Sequence, residues 1–319
     1  MNDKIERILI TGGAGFIGSN VIEYLIDNTG FVIYCLDNLS TGFRKNIAEF
    51  ESNSRFKFVE GSITDENLVD QLTREVNFVV HLAALGSVPR SIDNPMASFN
   101  HNVIGSCNVF FHCQKNNVQK VIYASSSSVY GDDPSEEKNE NIVGTPLSPY
   151  ALTKVTVEKM AANFADVYKL NILGVRFFNI FGPKQNPDGA YAAVVPRFIS
   201  KIFKNENPQI HGSGNNSRDF TYVLNICYGI NKALNSSFSF KSEIINMSCN
   251  KSYSINDLFD HLKSISGSTV QSDHVSPRKG DIANSRASLI KAKELIGYEP
   301  VVHFHEGLQL TFNWFNKNK

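Results

Sequence analysis

Tyr150 and Lys154 are the two side chains in this sequence whose types and spacing best suit proton transfer. Residues four apart in a helix lie on one face, so the lysine ammonium would come close to the tyrosine ring. Tyrosine, with a usual pKa of about 10, is a poor base at neutral pH, and a nearby cation lowers that pKa. The pair therefore suggests a catalytic base. Tyr228 and Lys232 have the same spacing, so spacing alone does not separate a base from an ordinary helix face.

A glycine-rich turn near the N-terminus joins an apolar strand to a helix. Residues 7–11 read as a buried strand that leads into Gly12, Gly15 and Gly18, and the spacing of the apolar residues that follow predicts a helix. Glycines at such a turn let a pyrophosphate approach the backbone, and the helix offers free amides and the positive end of its dipole. The turn predicts a dinucleotide site.

Asp37 ends the next apolar run, about 20 residues beyond the glycines. A carboxylate at this point accepts hydrogen bonds from both ribose hydroxyls of an adenosine and repels a 2′-phosphate, which favours NAD over NADP. Arg44 is near enough in the sequence to leave NADP open. A solvated aspartate at a strand end is the other interpretation.

The sequence predicts further strands at residues 56–60, 78–82 and 120–124, each followed by loop residues and then a helical stretch. This alternation predicts an α/β fold with a doubly wound parallel sheet. Ligands bind beyond the carboxyl ends of such strands, so the loops at 81–86 and 125–128 should share one crevice. The Tyr150 helix follows the second of these loops, whereas Tyr228 lies in a later helix without one. The sequence therefore favours Tyr150 as the base, with the serines of the loop able to orient a substrate hydroxyl.

After residue 178 the pattern changes to scattered loops, short strands and isolated helices. We expect residues 1–178 to form a Rossmann domain that binds NAD, with part of 223–249 returning to it. Residues 179–319 should form a smaller C-terminal α/β lobe that binds the substrate. In that lobe Arg218 and Arg278 stand beside Gly and Asp residues, where arginine could bind a diphosphate through two donors; surface salt bridges are the alternative.

The overall composition excludes several classes of protein. The chain has 319 residues, of which 31 are basic and 31 acidic, and the absence of a Lys/Arg block argues against nucleic acid as a partner. Its five scattered cysteines form no C-x-x-C pair, which argues against a disulfide framework and against a metal site. The N-terminus runs almost directly into an apolar strand, and no span of 18 apolar residues occurs, so we expect a cytoplasmic protein that does not enter a membrane.

Motifs spread over nearly the whole chain resemble the extended short-chain dehydrogenase/reductases. They are the glycine turn, the serines at 125–128 before Tyr130, the Tyr150/Lys154 pair, and residues 176–182 and 218–223. Within that superfamily the chain is most similar to nucleotide-sugar 4-epimerases, and residues 83–91 resemble those of bacterial UDP-N-acetylglucosamine 4-epimerases. The resemblance implies a UDP-sugar substrate and a tightly held NAD. In such enzymes hydride passes from sugar C4 to NAD and returns to the other face of the 4-keto sugar.

The resemblance implies a role for each matching position. Tyr150 would be the acid/base at the sugar O4, Lys154 would bind the nicotinamide ribose and lower the Tyr150 pKa, and Ser126 would hydrogen-bond O4. The cofactor site would comprise Gly12, Gly15, Phe16, Ile17, Gly18, Asp37, Asn38, Ser62, Ile63, Ala83 and Ala84, together with Tyr150 and Lys154. The substrate site would comprise Gly86, Ser87, Ser126, Ser127, Ser128, Asn179, Gln185, Ala193, Val194, Arg218, Arg278, Asp281 and Ser285.

Three positions bear on the reaction and the substrate. Related dehydratases carry an Asp-Glu pair where this chain has Ser127 and Ser128, and decarboxylating relatives also place a Glu in this run, so both reactions are disfavoured. Ser285 stands where relatives carry either a bulky Tyr or a small residue that admits an N-acetyl group. Ser62 replaces an Asp that accepts a hydrogen bond from the adenine amino group, and serine is the weaker acceptor.

The resemblance thus implies reversible C4 epimerisation of UDP-N-acetylglucosamine to UDP-N-acetylgalactosamine. UDP-N-acetylglucosaminuronate, which Arg90 leaves open, and UDP-glucose are alternative substrates. A non-catalytic NAD-sensing regulator on the same fold is the alternative from another class, although the intact Ser126, Tyr150 and Lys154 argue against it. Relatives pair through two long helices, here about residues 96–115 and 148–169, which implies a homodimer.

Overall fold

The computed structural model describes residues 5–188, 192–277 and 285–319. Arg278 and Asp281, which the resemblance assigns to the substrate site, lie outside these ranges. The strands are β1 Arg7–Thr11, β2 Val32–Asp37, β3 Phe56–Glu60, β4 Phe78–His81, β5 Lys120–Ser126, β6 Glu137–Lys138, β7 Ile172–Phe177, β8 Ile180–Phe181, β9 Gln209–His211, β10 Ser217–Arg218, β11 Thr221–Tyr222, β12 Ser242–Met247, β13 Tyr253–Ser254, β14 Asp273–Val275 and β15 Arg286–Ala287.

The helices lie mainly between the strands. They are α1 Phe16–Asn28, α2 Glu66–Arg74, α3 Val88–Asp93, α4 Pro95–Phe99, α5 Gly105–Lys115, α6 Pro149–Tyr168, α7 Val194–Phe203, α8 Val223–Asn235, α9 Ile255–Ser266, α10 Ile290–Ile296 and α11 Phe304–Lys317. A π-helical turn, Asn100–Ile104, joins α4 to α5, and 3₁₀ turns occupy Arg44–Asn46, Ala48–Phe50 and Ser127–Tyr130. Each helix of the described chain is too short or too polar to cross a lipid bilayer.

Seven parallel strands of the described chain form the central sheet, in the order β12, β7, β5, β4, β1, β2, β3. From β1 the chain first winds outward to β2 and β3, then returns to β4 and winds the other way. The carboxyl ends of β1 and β4 therefore border a crevice at the point where the winding reverses. The predicted doubly wound parallel sheet is confirmed, and the fold is Rossmann-type α/β.

Both faces of this sheet are covered, because successive strand residues point to opposite sides. Ile8 and Ile10 of β1 pack into a cluster with apolar side chains of α1 and α8. Leu9, between them, packs with side chains of α2, α5 and α6. A strand buried on both faces is a continuous apolar run, which is why the bounds of β1 match the predicted run. The edge strand β3 is partly exposed, and its bounds also match the prediction.

The later part of the chain contributes to two layers. The helices α7, α9 and α11 enclose a separate apolar cluster that includes Phe220 and Phe304, whose ring centroids are 5.5 Å apart. In contrast, β12 pairs with β7 at the edge of the central sheet, and α10 contacts α8 and β12. Tyr298, just beyond α10, is fully buried in the same cluster as Ile8. The chain after residue 178 therefore passes several times between the central sheet and the layer formed by α7, α9 and α11.

Candidate active site

The turn between β1 and α1 has the geometry of an anion site. Gly12 has φ of 71°, in the left-handed region that favours glycine, and a Cβ there would lie 2.7 Å from the amide nitrogen of Ala83. A Cβ on Gly18 would overlap the carbonyl of Gly12. No side chain caps the N-terminus of α1, and its first turn contains no acidic residue. The free amides of this helix end therefore remain available to a pyrophosphate.

Asp37 closes the crevice on the β2 side. Its two carboxylate oxygens accept hydrogen bonds from the amides of Ala14, at 2.9 Å, and Leu39, at 2.8 Å. Burial raises the Asp37 pKa, and these backbone donors oppose that shift. Arg44 instead pairs with Glu51 at 2.9 Å. It is not among the described residues that line the crevice, which favours the ribose hydroxyls over a 2′-phosphate.

Tyr150 lies in the first turn of α6. This helix starts after Ser148, whose hydroxyl accepts a hydrogen bond from the amide of Ala151, and Pro149 occupies its first position. The Tyr150 amide donates to the hydroxyl of Ser91 in α3 at 3.0 Å, which fixes the start of α6 against a second helix. The Ser126 side chain, at the end of β5, interacts with the Tyr150 phenol and lowers its pKa.

Lys154 lies one turn further along α6 and is buried. Its ammonium donates to the carbonyl of Ala124 at 2.8 Å and lies 5.9 Å from the centroid of the Tyr150 ring. Burial lowers the Lys154 pKa to about 8, and the charge of Glu158 opposes this. The lysine is therefore largely charged near neutral pH.

The expected lowering of the Tyr150 pKa by Lys154 is not seen in the protein alone. Burial raises the Tyr150 pKa, and the hydrogen bond from Ser126 is the opposing influence. The reason is that the ammonium bonds the Ala124 carbonyl and not the phenol oxygen. Conversion of this phenol into a base therefore requires further positive charge beside it, such as the cationic ring of an oxidised nicotinamide.

One cleft of about 890 Å³ unites most of the predicted site residues. Such a volume lies within the usual range for a ligand pocket, roughly 300–1,000 Å³. The predicted residues that line it are Gly12, Gly15, Phe16, Ile17, Gly18, Asp37, Asn38, Ile63, Ala83, Ala84, Gly86, Ser126, Ser127, Tyr150, Lys154, Asn179, Gln185 and Ala193. The dinucleotide turn and the Tyr150/Lys154 pair therefore open into the same space.

Other predicted site residues of the described chain do not line this cleft; they are Ser62, Ser87, Ser128, Val194, Arg218 and Ser285. Ser62 is paired with Thr64 through their hydroxyls at 2.8 Å. The Ser87 hydroxyl caps α3 by accepting from the amide of Arg90. Arg218 donates to the carbonyl of its neighbour Ser217 at 2.8 Å. The side chains of Ser62, Ser87 and Arg218 thus form hydrogen bonds with residues close to them in the sequence. Their residue types alone do not reveal these bonds.

The cleft also contains residues to which sequence reasoning assigned no role, among them Phe43, His101 and Phe177. His101 reaches the cleft from the π-helical turn between α4 and α5. In that same turn, the Asn102 side chain accepts from the Leu85 amide at 2.8 Å, which fixes the turn to the loop after β4. π-turns are frequent at functional sites, but no residue pattern predicts one.

Tyr228 and Lys232 have the same local geometry as Tyr150 and Lys154, but they lie elsewhere in the fold. The Lys232 ammonium lies 5.5 Å from the centroid of the Tyr228 ring, close to the corresponding distance in the first pair. Tyr228, however, packs against the core cluster beneath α8, and neither residue is among the described residues of the cleft. Among the described residues, no group of three or more His, Cys, Asp or Glu side chains could hold a metal ion.

Comparison with known proteins identifies the family. Residues 8–248 match the NAD dependent epimerase/dehydratase family, and the chain belongs to it. A putative UDP-glucose 4-epimerase of Methanocaldococcus jannaschii is 36% identical over 313 residues, which cover 98% of this chain and 99% of the relative.

Two solved structures are also similar to this chain. The UDP-N-acetylglucosamine 4-epimerase of Methanobrevibacter ruminantium, in complex with UDP-N-acetylmuramic acid, is 34% identical with a TM-score of 0.94, covering 99% of this chain and 100% of that one. The UDP-glucuronic acid 4-epimerase of Bacillus cereus, in complex with UDP-glucuronic acid and NAD, is 29% identical with a TM-score of 0.91, covering 98% and 100%.

The protein is accordingly an NAD-dependent nucleotide-sugar 4-epimerase, and the predictions of an enzyme, of NAD and of a UDP-sugar substrate are confirmed. The glycine turn, the free N-terminus of α1 and Asp37 fit a dinucleotide in the cleft. When bound, NAD supplies the hydride acceptor and donor at the sugar C4.

Replacement of Gly12 by Ala should abolish retention of NAD. The added Cβ collides with the backbone of Ala83 and demands a positive φ, so the turn must move away from the pyrophosphate position. We expect at least a tenfold fall in NAD released per protein on denaturation, measured by chromatography. Gly30→Ala is the control, because a Cβ there meets nothing within 4 Å. Wild-type NAD content in Gly12→Ala would contradict the assignment.

Proposed function

We propose that this epimerase interconverts UDP-N-acetylglucosamine and UDP-N-acetylgalactosamine. The observation that carries the proposal is the presence of several small side chains in the lining of the cleft. These residues are Ala84, Gly86, Ser126, Ser127, Ala192 and Ala193. No atom lies within 4 Å of the position that a Cβ on Gly86 would occupy, which leaves room for an acetamido group. Similarity to a UDP-N-acetylglucosamine 4-epimerase supports the same substrate.

In this proposal three side chains handle the O4 proton. Tyr150 takes the proton from O4 as C4 is oxidised and gives it back as C4 is reduced. Ser126, whose side chain interacts with the Tyr150 phenol, holds O4 in line with that phenol. Lys154 supplies positive charge one helical turn away. The Ser127 side chain in the cleft wall is not a carboxylate, which argues against dehydration.

The segments on either side of β8 are proposed to bind the UDP-sugar, with Asn179 at the UDP moiety and Gln185 at the sugar. Asn179 and Gln185 line the cleft there, and the Asn179 amide donates to the carbonyl of Asp219 at 3.3 Å. The Oε1 atom of Gln185 is buried and has no hydrogen-bond partner among the described residues, so a ligand can supply the donor. The resemblance also assigns Arg218 to the UDP moiety, Val194 at the start of α7 to its surroundings, and Ser285 to the space for an N-acetyl group. Arg278 and Asp281, also assigned to the UDP moiety, lie outside the described residues.

Tyr150→Phe should lower kcat by about a hundredfold to ten-thousandfold while NAD stays bound, because only the proton-transferring hydroxyl is lost. Initial rates of epimerisation and the NAD content of the purified protein measure the two effects. The matched control is Tyr228→Phe, which removes the hydroxyl of the equivalent pair on α8 and should leave kcat within about twofold. Equal losses in the two variants would contradict the assignment of the base.

A second candidate substrate is the corresponding uronate, UDP-N-acetylglucosaminuronate. Arg90 lines the cleft, and a guanidinium there could bind a carboxylate through two hydrogen bonds. The two solved relatives described above are complexes with acidic UDP-sugars. Substitution of Arg90 should therefore distinguish a neutral substrate from an acidic one.

Proton NMR of wild-type enzyme with UDP-N-acetylglucosamine, UDP-glucose and UDP-N-acetylglucosaminuronate, without added NAD, tests the substrate. We expect the first to equilibrate with its C4 epimer fastest. Arg90→Gln should then change kcat/KM less for UDP-N-acetylglucosamine than for the uronate, because only the carboxylate gains from the charge. A higher kcat/KM for the uronate in the wild type would overturn the substrate assignment.

We also propose a homodimer that pairs through the α4–α5 segment and α6. These neighbouring helices expose large apolar side chains to solvent: Met96 is 78% exposed, Ile104 59% and Leu152 45%. Adjacent exposed apolar groups on two long helices mark a surface that association would cover.

Leu152→Glu should weaken this association, because a dimer would bury the new carboxylate without a partner. Sedimentation velocity across a range of protein concentrations measures the shift from dimer to monomer. Ile290→Glu is the control, since Ile290 is similarly exposed but lies on α10. A wild-type chain that sediments as a monomer at high concentration would contradict the proposal.

A further inference from the structure

Three successive turns of the inner face of α6 are attached to three successive residues at the end of β5. The pairs are Tyr150 with Ser126, Lys154 with Ala124, and Glu158 with Ser125. The first two pairs belong to the proposed catalytic machinery. The third pair involves Glu158, a buried carboxylate to which neither the motifs nor the proposed reaction assigns a role.

Glu158 accepts hydrogen bonds from three donor atoms in a fixed geometry. Its Oε1 accepts from the Ser125 hydroxyl at 2.5 Å and from Arg176 Nε at 2.9 Å, and its Oε2 accepts from Arg176 Nη2 at 2.9 Å. The remaining guanidinium nitrogen, Nη1, donates to the carbonyl of Glu140 at 3.2 Å. The Glu158 side chain is 6% exposed and that of Arg176 is 1% exposed. A buried, bidentate pair of this kind fixes the position of both side chains.

We propose that Glu158, held by Arg176 of β7, is a positioning residue whose carboxylate maintains the positive charge of Lys154 beside Tyr150. This rests on the roles proposed above for Tyr150 and Lys154. It differs from a purely structural ion pair because the carboxylate acts on the charge of Lys154, one turn away on the same helix face.

The charges around Lys154 show why Glu158 matters. The ionisable groups that face the ammonium are Tyr150 and Glu158 on α6 and His81 from β4, while Arg176 of β7 and Tyr123 of β5 adjoin Glu158. Burial lowers the His81 pKa to about 3, and burial raises the Tyr123 pKa well above its usual value, so both stay neutral. Of these groups Glu158 alone is an anion, and it opposes the loss of the Lys154 proton caused by burial.

Glu158→Gln tests this, because it removes the charge and nearly preserves the shape. Titration of Lys154 is followed by NMR in protein labelled with ¹³Cε-lysine, with the resonance assigned through Lys154→Met. We expect the Lys154 midpoint to fall by about one pH unit, as expected for loss of a nearby opposite charge. The alkaline limb of the kcat profile should move down by the same amount, with NAD content unchanged.

Ser125→Ala is the matched control, because it removes the β5 attachment of Glu158 and leaves the carboxylate charged. It should leave the Lys154 midpoint and the alkaline limb where they are in the wild type. If Glu158→Gln fails to fold, the double variant Glu158→Leu/Arg176→Met provides a packed pair without charges. It should shift the Lys154 midpoint downward by less than Glu158→Gln does, because the Arg176 cation is removed as well.

An unchanged Lys154 midpoint in Glu158→Gln or in the double variant would overturn the proposal, as would an equal shift in Ser125→Ala. The NMR titration needs no substrate. A wild type that turned over none of the tested UDP-sugars would therefore count against the proposed function, while the Lys154 midpoint would still decide the role of Glu158.

Discussion

The contact between the inner face of α6 and the carboxyl end of β5 is the interaction on which the site depends. This face presents a phenol, an ammonium and a carboxylate on three successive turns, and each needs a partner because it is removed from water. The strand supplies the Ser126 hydroxyl to the phenol, the Ala124 carbonyl to the ammonium and the Ser125 hydroxyl to the carboxylate. The position of the proposed base is thus set by the sheet, and a shift of α6 by one turn would leave all three groups unpaired.

The same sheet provides the cofactor site from its other half. At the reversal between β1 and β4, the glycine turn approaches the loop after β4 so closely that Gly12 tolerates no side chain. The smaller lobe is joined to this half through Lys184, whose ammonium pairs with Glu23 of α1 at 2.8 Å and with Glu49 at 2.9 Å. The loop that carries Gln185 is therefore attached to the helix whose N-terminus would face the pyrophosphate. These ion pairs therefore connect the proposed cofactor site with the proposed substrate site.

The central sheet and the glycine turn were predictable from sequence, because a parallel strand buried on both faces is a continuous apolar run and a tight turn at φ of 71° favours glycine. Sequence favoured Tyr150 over Tyr228 because only the Tyr150 helix follows a polar loop at the end of a predicted sheet strand. Sequence could not show that Lys154 bonds a strand carbonyl instead of the phenol, since that depends on helix placement within an ångström. Nor could it reveal the π-turn that carries His101, or the return of Tyr298 to the main core, which both depend on tertiary packing.

The central claim is that the sugar O4 meets Tyr150 and Ser126 at the junction of α6 and β5. A crystal structure of Tyr150→Phe with NAD and UDP-N-acetylglucosamine tests it most directly, because the variant holds the substrate without turning it over. We predict O4 within hydrogen-bond distance of the Ser126 hydroxyl and beside the ring of residue 150, with C4 facing the nicotinamide. A complex in which O4 points away from Ser126, toward the loop that carries Gln185, would contradict the account.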